Sequence, residues 1–480
     1  MSTLASAGRD TSSAKRNFRR LWTGQGVSVF GSELSILAIP TLAILNYHAT
    51  AFEASVIGAL QVAPFAIFSL PAGPLVDRFS RRAILIVCDA ARAAAIFTLA
   101  ATYLAGFRHL WIIYGVTAVV GTFTVFFDIA YLSLVPHVVA DDELLSANRR
   151  LSATNSAASM VGPALGGVLI SAIGAARTVI FDSASYVASV ISVALIRTEE
   201  PRQHHPEKLR LRVLLAEIRE GLTYVARSPT LARIALVNAV FDFGAAMIQA
   251  VYLVFLYRSL NLTPGEVGAV TAVTGLSFFV GAILVPRVVR WVGMGRTLAY
   301  SIFAGGAIEL LTPVTLLGAP LLILVGINIV AGATNALYDI NQLTVRQSVT
   351  PDELQGRLHA TMRMTFSGPR PFGFLLGGAL ATWIGTASTI VLGASVSTLG
   401  ASILLIRPIS LSAGDGEPVP AGTTSVEDQS DALVANEGSS EPGTLDALGE
   451  ISDPAHRTIG DKRRSATDPP MPPELDGAVE

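Results

Sequence analysis

Residues 128–169 recur without a gap 211 positions further on, as residues 339–380, with twelve identities among the forty-two aligned pairs. Asp128, Ile129, Leu132 and Asp141 return as Asp339, Ile340, Leu343 and Asp352. Gly162, Leu165, Gly166 and Gly167 return as Gly373, Leu376, Gly377 and Gly378. A period near two hundred residues is too long for a solenoid, whose units run to about 20–50 residues. In an apolar chain it predicts two similar halves facing each other across a path.

The chain is apolar enough for that design: 51% of its 480 residues are hydrophobic and 15% charged. Twelve apolar segments occur, each of roughly 20 residues, the length that crosses about 30 Å of hydrocarbon at 1.5 Å per residue. Their centres lie near Ile36, Phe65, Ala94, Val120, Val161 and Ala188, then Gln249, Leu276, Glu309, Ile329, Phe372 and Ser395. The expected fold is an all-α membrane protein of twelve transmembrane helices in two pseudo-symmetric six-helix halves, residues 24–197 and 229–407. Residues 1–23 form a basic N-terminus. Residues 198–228 form a link in which Leu211, Leu215, Ile218, Leu222 and Val225 recur at helical spacing, as in a helix lying on a membrane face. Residues 408–480 lack apolar runs and are rich in Gly, Pro, Ser, Asp and Glu, the composition of a disordered acidic tail.

The net charge of −2 conceals a division: residues 411–480 carry −11 and the first 410 carry +9. The basic residues cluster in alternate loops: Lys15 to Arg20, Arg78 to Arg82, Arg149 and Arg150, Arg197 to Arg227, Arg287 to Arg296, and Arg346 with Arg357. The other loops hold Arg108, Arg177 and Arg258. The positive-inside rule then places both termini in the cytoplasm of a multi-pass protein of the cell's inner (plasma) membrane. This charge needs no nucleic acid to explain it. No cleavable signal peptide is expected, because the apolar run from Gly24 to Tyr47 is span-length. Cys88, the sole cysteine, excludes an internal disulfide.

Between the second and third spans the chain reads Gly73-Pro74-Leu75-Val76-Asp77-Arg78-Phe79-Ser80-Arg81-Arg82. A glycine, an acid four residues on and a basic cluster resemble the cytoplasmic loop signature of the major facilitator superfamily, with Ser80 where glycine is usual. Gly73 would let helices approach, Asp77 would accept hydrogen bonds from a helix N-terminus, and Arg78, Arg81 and Arg82 would pair with acids nearby. The resemblance implies a gate steadying the outward-facing conformation and matches Asp128 to the acid that pairs with Arg81. The second-half loop, Gly281 to Arg296, has Val285 at the acid's place, which leaves Asp339 to pair with Arg287 or Arg290. Gly162-Pro163-Ala164-Leu165-Gly166-Gly167 resembles the antiporter motif found mainly among exporters of that superfamily, with Ala158 in place of its upstream glycine. Its glycines make a flat face for close packing and Pro163 bends the helix. Asn17 to Trp22 and Thr350 to Gly378 look like the branch holding macrolide-efflux and enterobactin-exporter-like carriers. The resemblance covers residues 17–407.

A carrier coupled to protons needs ionisable groups at membrane depth. Glu33 lies midway along the first span and Asp242 midway along the seventh, its repeat equivalent. They are the expected proton sites, the alternative being a structural hydrogen bond between helices. Arg370, between Pro369 and Pro371, would counter an acid or bind an anionic substrate. Asp182, near the outer end of the sixth span, and Glu309 are expected to be structural, and Asp89 and Arg92 to neutralise each other.

Together these features predict a monomeric secondary transporter that exports amphiphilic small molecules of drug, macrolide or siderophore type in exchange for protons. The same fold admits a nutrient importer or uniporter, or a transport-inactive sensor. An enzyme is not expected: no Walker loop, metal-ligand cluster or nucleophile elbow is visible, so neither cofactor nor metal is called for.

Overall fold

The computed structural model describes residues 11–76, 78–139, 143–196 and 211–406. The expectations for Asp77, for residues 197–210 and for the tail lie outside the described residues, which contain helices and no strand. In the first half, α1 spans Thr11–Thr41, α2 Ala51–Val76, α3 Arg81–Leu104, α4 Leu110–Val138, α5 Leu144–Ile173 and α6 Ala175–Ala194. The link carries α7, Leu211–Arg227. The second half holds α8 (Pro229–Val254), α9 (Pro264–Val292), α10 (Met294–Glu309), α11 (Pro320–Ser348), α12 (Asp352–Ser367), α13 (Arg370–Ile384) and α14 (Thr386–Ile406).

Among the described residues, ten helices are long and apolar enough to cross a membrane. The other two expected spans are α6 and the α12–α13 pass. Arg177, Asp182 and the buried serines Ser183, Ser185 and Ser189 dilute the apolar residues of α6. The α12–α13 pass is interrupted at Gly368–Pro369, where proline offers no N–H to the helix. Two further departures concern boundaries. α1 starts at Thr11, so Lys15 to Arg20 ride on the helix of the first span, anchored by buried Phe18 and Leu21. Glu309, expected at the centre of the ninth span, is the last residue of α10, because the chain tightens into a 3₁₀ turn at Thr312–Leu317 whose second residue is Pro313.

The helices run between two ends. The basic end carries the start of α1, Arg78 to Arg82, and Arg149 with Arg150; the far end carries the opposite turns. At the far end the internal repeat is structural as well as sequential. Leu42–Asn46 and Phe255–Ser259 are π-helical extensions of α1 and α8. Each is followed by a non-glycine residue in the left-handed region, His48 at φ 55° and Asn261 at φ 53°. Each then enters the next helix through a reciprocal cap, in which Thr50 N and Thr263 N donate to Glu53 Oε2 and Glu266 Oε2 at 2.7 Å. Gly174 (φ 86°) and Gly385 (φ 80°) likewise turn α5 into α6 and α13 into α14, a conformation that a β-carbon would strain.

Burial follows the same axis. At the far end one apolar core runs through both halves, from Leu37, Leu42 and Ile96 to Val254, Phe255 and Ile390. At the basic end the cores are separate: Leu85, Phe127 and Leu134 in the first half, Ile234, Leu298 and Val345 in the second. α7 lies beneath the second half, with Val225 buried in a small core with Leu231, Leu358 and Met362.

Candidate functional site

The glycine motif performs two tasks in each half. In α5, Gly162 faces the Glu33 side chain of α1, so a β-carbon there would collide with it. Gly167 meets the other half: a β-carbon would sit 2.8 Å from Gly268 Cα and 2.6 Å from Pro264 O of α9. In α13, Gly373 and Gly377 abut the backbone oxygens of Phe243 and Met247 in α8, at 2.5 and 2.7 Å from the added carbon, and Gly378 meets Ser55 of α2. The early glycines thus seat the helix on its own half, and the last one seats it on the opposite half. Gly166 makes only ordinary contact with Leu34, at 3.6 Å. The carbonyl of Pro163 points at Gly268, whose own added carbon would lie 2.6 Å from it.

Polar bonds reinforce the far-end contact. The hydroxyls of Thr41 and Tyr257 are hydrogen-bonded at 2.8 Å, and Arg258 Nη2 donates to Ala49 O at 2.7 Å.

Toward the basic end the halves enclose a cavity of about 460 Å³. Phe65, Ser69 and Asp128 line it from the first half, and Gln342, Arg346, Arg363 and Phe366 from the second. The Arg363 guanidinium crosses between the halves to lie 5.0 Å from the Phe65 ring centroid. Gln342 and Phe366 also border an adjoining pocket of about 250 Å³ that contains Asn238, Asp242, Gln249, Tyr338 and Asp339. Arg370, first residue of α13 after the break, donates from Nη2 to Gln249 Oε1 at 3.3 Å. Asp128, Asp242 and Asp339 therefore face the same region as Arg346, Arg363 and Arg370, so formal charges of both signs balance there.

The expected site residues are redistributed. Asp242 and Asp339 share one pocket. Glu33 lies at the α1–α5 interface, where Ser159 Oγ donates to its Oε1 at 2.8 Å; the structure joins it to the glycine motif rather than to Asp242. Gly73 does not serve the close approach expected of it: a β-carbon there would meet nothing within 4 Å. Arg82 Nε donates to Val193 O at 3.2 Å at the C-terminus of α6, a favourable place for a cation. Arg81 Nη1 lies 3.2 Å from His137 Nε2, near the end of α4, while Asp128 points into the cavity. Arg78 continues the turn after α2, its N–H donating to Leu75 O at 3.2 Å. Ser80 caps α3 by accepting from Ala83 N at 3.3 Å, which explains a serine in place of the usual glycine. Asp339, expected to pair with Arg287 or Arg290, lines the pocket that holds Asp242.

Sequence reasoning missed Gln249, Gln342 and Asn238 and read Arg346 only as a topology marker. One signal was present. Asp339, Gln342 and Arg346 recur at positions i, i+3 and i+7, one face of a helix.

The family model of the Major Facilitator Superfamily matches residues 21–370. The chain belongs to the major facilitator superfamily. Among its superfamily relatives, the multidrug efflux pump Tap of Mycolicibacterium fortuitum is 26% identical over 379 residues, covering 75% of this chain and 88% of that one. The macrolide efflux protein A of Streptococcus pyogenes is 24% identical over 401 residues, covering 82% and 96%. Two solved structures share the fold. A bacterial homologue of the iron transporter ferroportin, in an inward-facing state, superposes with a TM-score of 0.61 at 14% identity, over 81% of this chain and 99% of that one. The nucleoside transporter NupG gives 0.63 at 11% identity, over 81% of this chain and 98% of that one. This superfamily member is thus a multi-pass membrane transporter.

Proposed function

We propose that the protein is a proton-coupled exporter of amphiphilic small molecules, of drug, macrolide or siderophore type. It works as a monomer in the inner membrane by rocking residues 24–197 against 229–407. Both termini face the cytoplasm, because the basic end bears the Lys and Arg of the loops. The observation that carries this reading is the charge-balanced cavity between halves that join at the far end. An amphiphile entering from the cytoplasm meets aromatic surface at Phe65 and Phe366 beside Asp128, Arg346 and Arg363. The efflux activities named for the relatives support the direction.

Coupling falls to Glu33 and Asp242. A carboxylate at bilayer depth costs about 2.5–3.5 kcal/mol on insertion scales, so each acid favours a proton when its surroundings are dry and releases it when they are wet. Glu33 abuts the motif helix that contacts the other half, so its charge bears on the packing that must change as access alternates. Asp77, Arg78, Arg81, Arg82, Asp128 and Asp339 serve the cytoplasmic gate.

The test uses inside-out vesicles with an acid interior and a pH-sensitive dye, to which candidate amphiphiles are added. Substrate-triggered proton release in wild type, lost in Glu33→Gln, is the expected result. Release that persists in Glu33→Gln removes Glu33 from the mechanism. No release from correctly inserted wild type across a broad panel favours the uniporter or sensor.

A further inference from the structure

Away from the cavity, the first half buries a second set of ionisable groups. Asp89, Arg92 and Asp182 are 0%, 4% and 1% exposed. Asp89 and Arg92, one turn apart on α3, form a hydrogen-bonded ion pair. The Arg92 guanidinium lies 4.2 Å from the Phe127 ring centroid and 4.5 Å from that of Tyr186. The pair is neutral as a unit, and Asp182 is left over.

Asp182, expected near the outer end of the sixth span, lies seven residues into α6 from Ala175. The groups facing it come from three helices. Ser185 of its own helix donates to Oδ1 at 3.3 Å, and Tyr186 follows one turn on. On α1, Gly31 comes so near that a β-carbon would lie 3.0 Å from Oδ1. Ser35, one turn further, is buried beside the carboxyl. On α3 stand Asp89 and Arg92, already paired. α5 has charged residues only at its basic end, Arg149 and Arg150. Asp182 Oδ2 and Ser35 Oγ are both buried without a hydrogen-bond partner.

Two carboxylates and one guanidinium sum to −1 in a buried bundle, where an uncompensated charge is strongly unfavourable. We propose that Asp182 is a further proton-carrying site of this protein. Its carboxylate takes one H⁺ at Oδ2, the new O–H is donated to Ser35 Oγ, and the triad passes from −1 to 0. One turn along α6 from Asp182, Tyr186 is hydrogen-bonded to Ser32 Oγ of α1 at 2.9 Å. Gain or loss of this proton alters the α1–α6 contact while Glu33 alters the α1–α5 contact, so α1 is loaded from both sides. The part this plays in coupling rests on the proposed export reading; the existence of the site does not.

The experiment counts protons on the purified full-length chain in detergent, in weak buffer with a pH-indicator dye, and needs no substrate. Asp182→Asn is expected to take up one proton fewer per molecule than wild type between alkaline and acid pH, and Glu33→Gln to lose a different one. A folded Asp182→Asn with the wild-type count overturns the proposal. If Asp182→Asn does not fold, Ser35→Ala decides: it is expected to move the midpoint of one uptake step, and an unmoved titration overturns the site. Uptake that sodium chloride suppresses relative to choline chloride also overturns it, in favour of a metal cation. In vesicles, Asp182→Asn should lower the protons released per substrate by one. Absence of substrate-triggered release in wild type removes the export reading and leaves the detergent count to judge Asp182.

Discussion

Removing one hydroxyl, in Tyr257→Phe, tests whether the far-end contact selects a conformation. Thr41 is 0% exposed and Tyr257 5%, and their hydrogen bond at 2.8 Å is made by one residue from each half. When the halves part at the far end both hydroxyls reach water, so the bond stabilises only the state in which that end is closed. Tyr257→Phe leaves Thr41 Oγ1 buried and unsatisfied, a penalty of about 1–3 kcal/mol. At about 1.4 kcal/mol per factor of ten, the ratio of closed to open far ends should fall roughly 5- to 150-fold. Spin labels at His109→Cys and Leu317→Cys, both exposed in far-end loops of opposite halves, read that ratio as a distance distribution. The background is clean, because the sole native cysteine, Cys88, is buried. Adding Thr41→Val removes the orphaned hydroxyl and should restore part of the short-distance population. A Tyr257→Phe distribution within about twofold of wild type, below the smallest penalty for an orphaned hydroxyl, would refute the reasoning.

Three other perturbations reach different parts of the molecule. Gly268→Leu puts its β-carbon 2.6 Å from Pro163 O and 2.8 Å from Gly167 Cα; both are backbone atoms, so no rotamer relieves the clash, and transport should be lost in protein that still elutes as a single species. Arg92→Leu leaves Asp89 buried without its counter-charge, at a cost of about 3–5 kcal/mol. Its detergent melting temperature should drop sharply and recover in part with Asp89→Leu. Asp77→Asn, from the loop signature, should slow turnover while equilibrium substrate binding stays near wild type; unchanged turnover argues against the gate.

The fold was legible because its determinants are local in sequence: span-length apolar runs, and glycines repeated by identity. The far-end repeat was not, although Thr50 with Glu53 and Thr263 with Glu266 hold the same spacing. The π turns between are held by backbone bonds to which side-chain identity is nearly indifferent. The break before α13 was visible as Pro369-Arg370-Pro371, yet an apolar count runs straight through it. The cavity was half legible. Acids stand out in an apolar span, so Asp128, Asp242 and Asp339 were found, but Gln249 and Gln342 are ordinary polar residues until the chain brings them opposite a charge. Asp182 passes for structural in the sequence because nothing there shows that Arg92, the cation facing it, is already bonded to Asp89.

The two halves share a scaffold and differ in where they keep charge. In each, the first helix lies between the motif helix and the last helix of the half, with glycine at the tightest points. Gly31 of α1 abuts Ser185 of α6, and Gly244 of α8 abuts Ser397 and the Gly393 carbonyl of α14. On the other side, Gly162 meets Glu33, and Gly373 and Gly377 meet α8 backbone. Apart from Glu33 opposite Gly162, these contacts hold no long side chain that could absorb a shift, so α1 or α8 moves together with its neighbours. The same motif helices carry Gly167 and Gly378 against the opposite half. A change of charge beside α1 therefore lies one helix away from the contact between the halves. In the second half the corresponding acid, Asp242, lines the pocket that adjoins the cavity between the halves. Under the proposed proton-exchange function, one scaffold thus sets an acid beside the contact between the halves in the first half and another beside the cavity in the second.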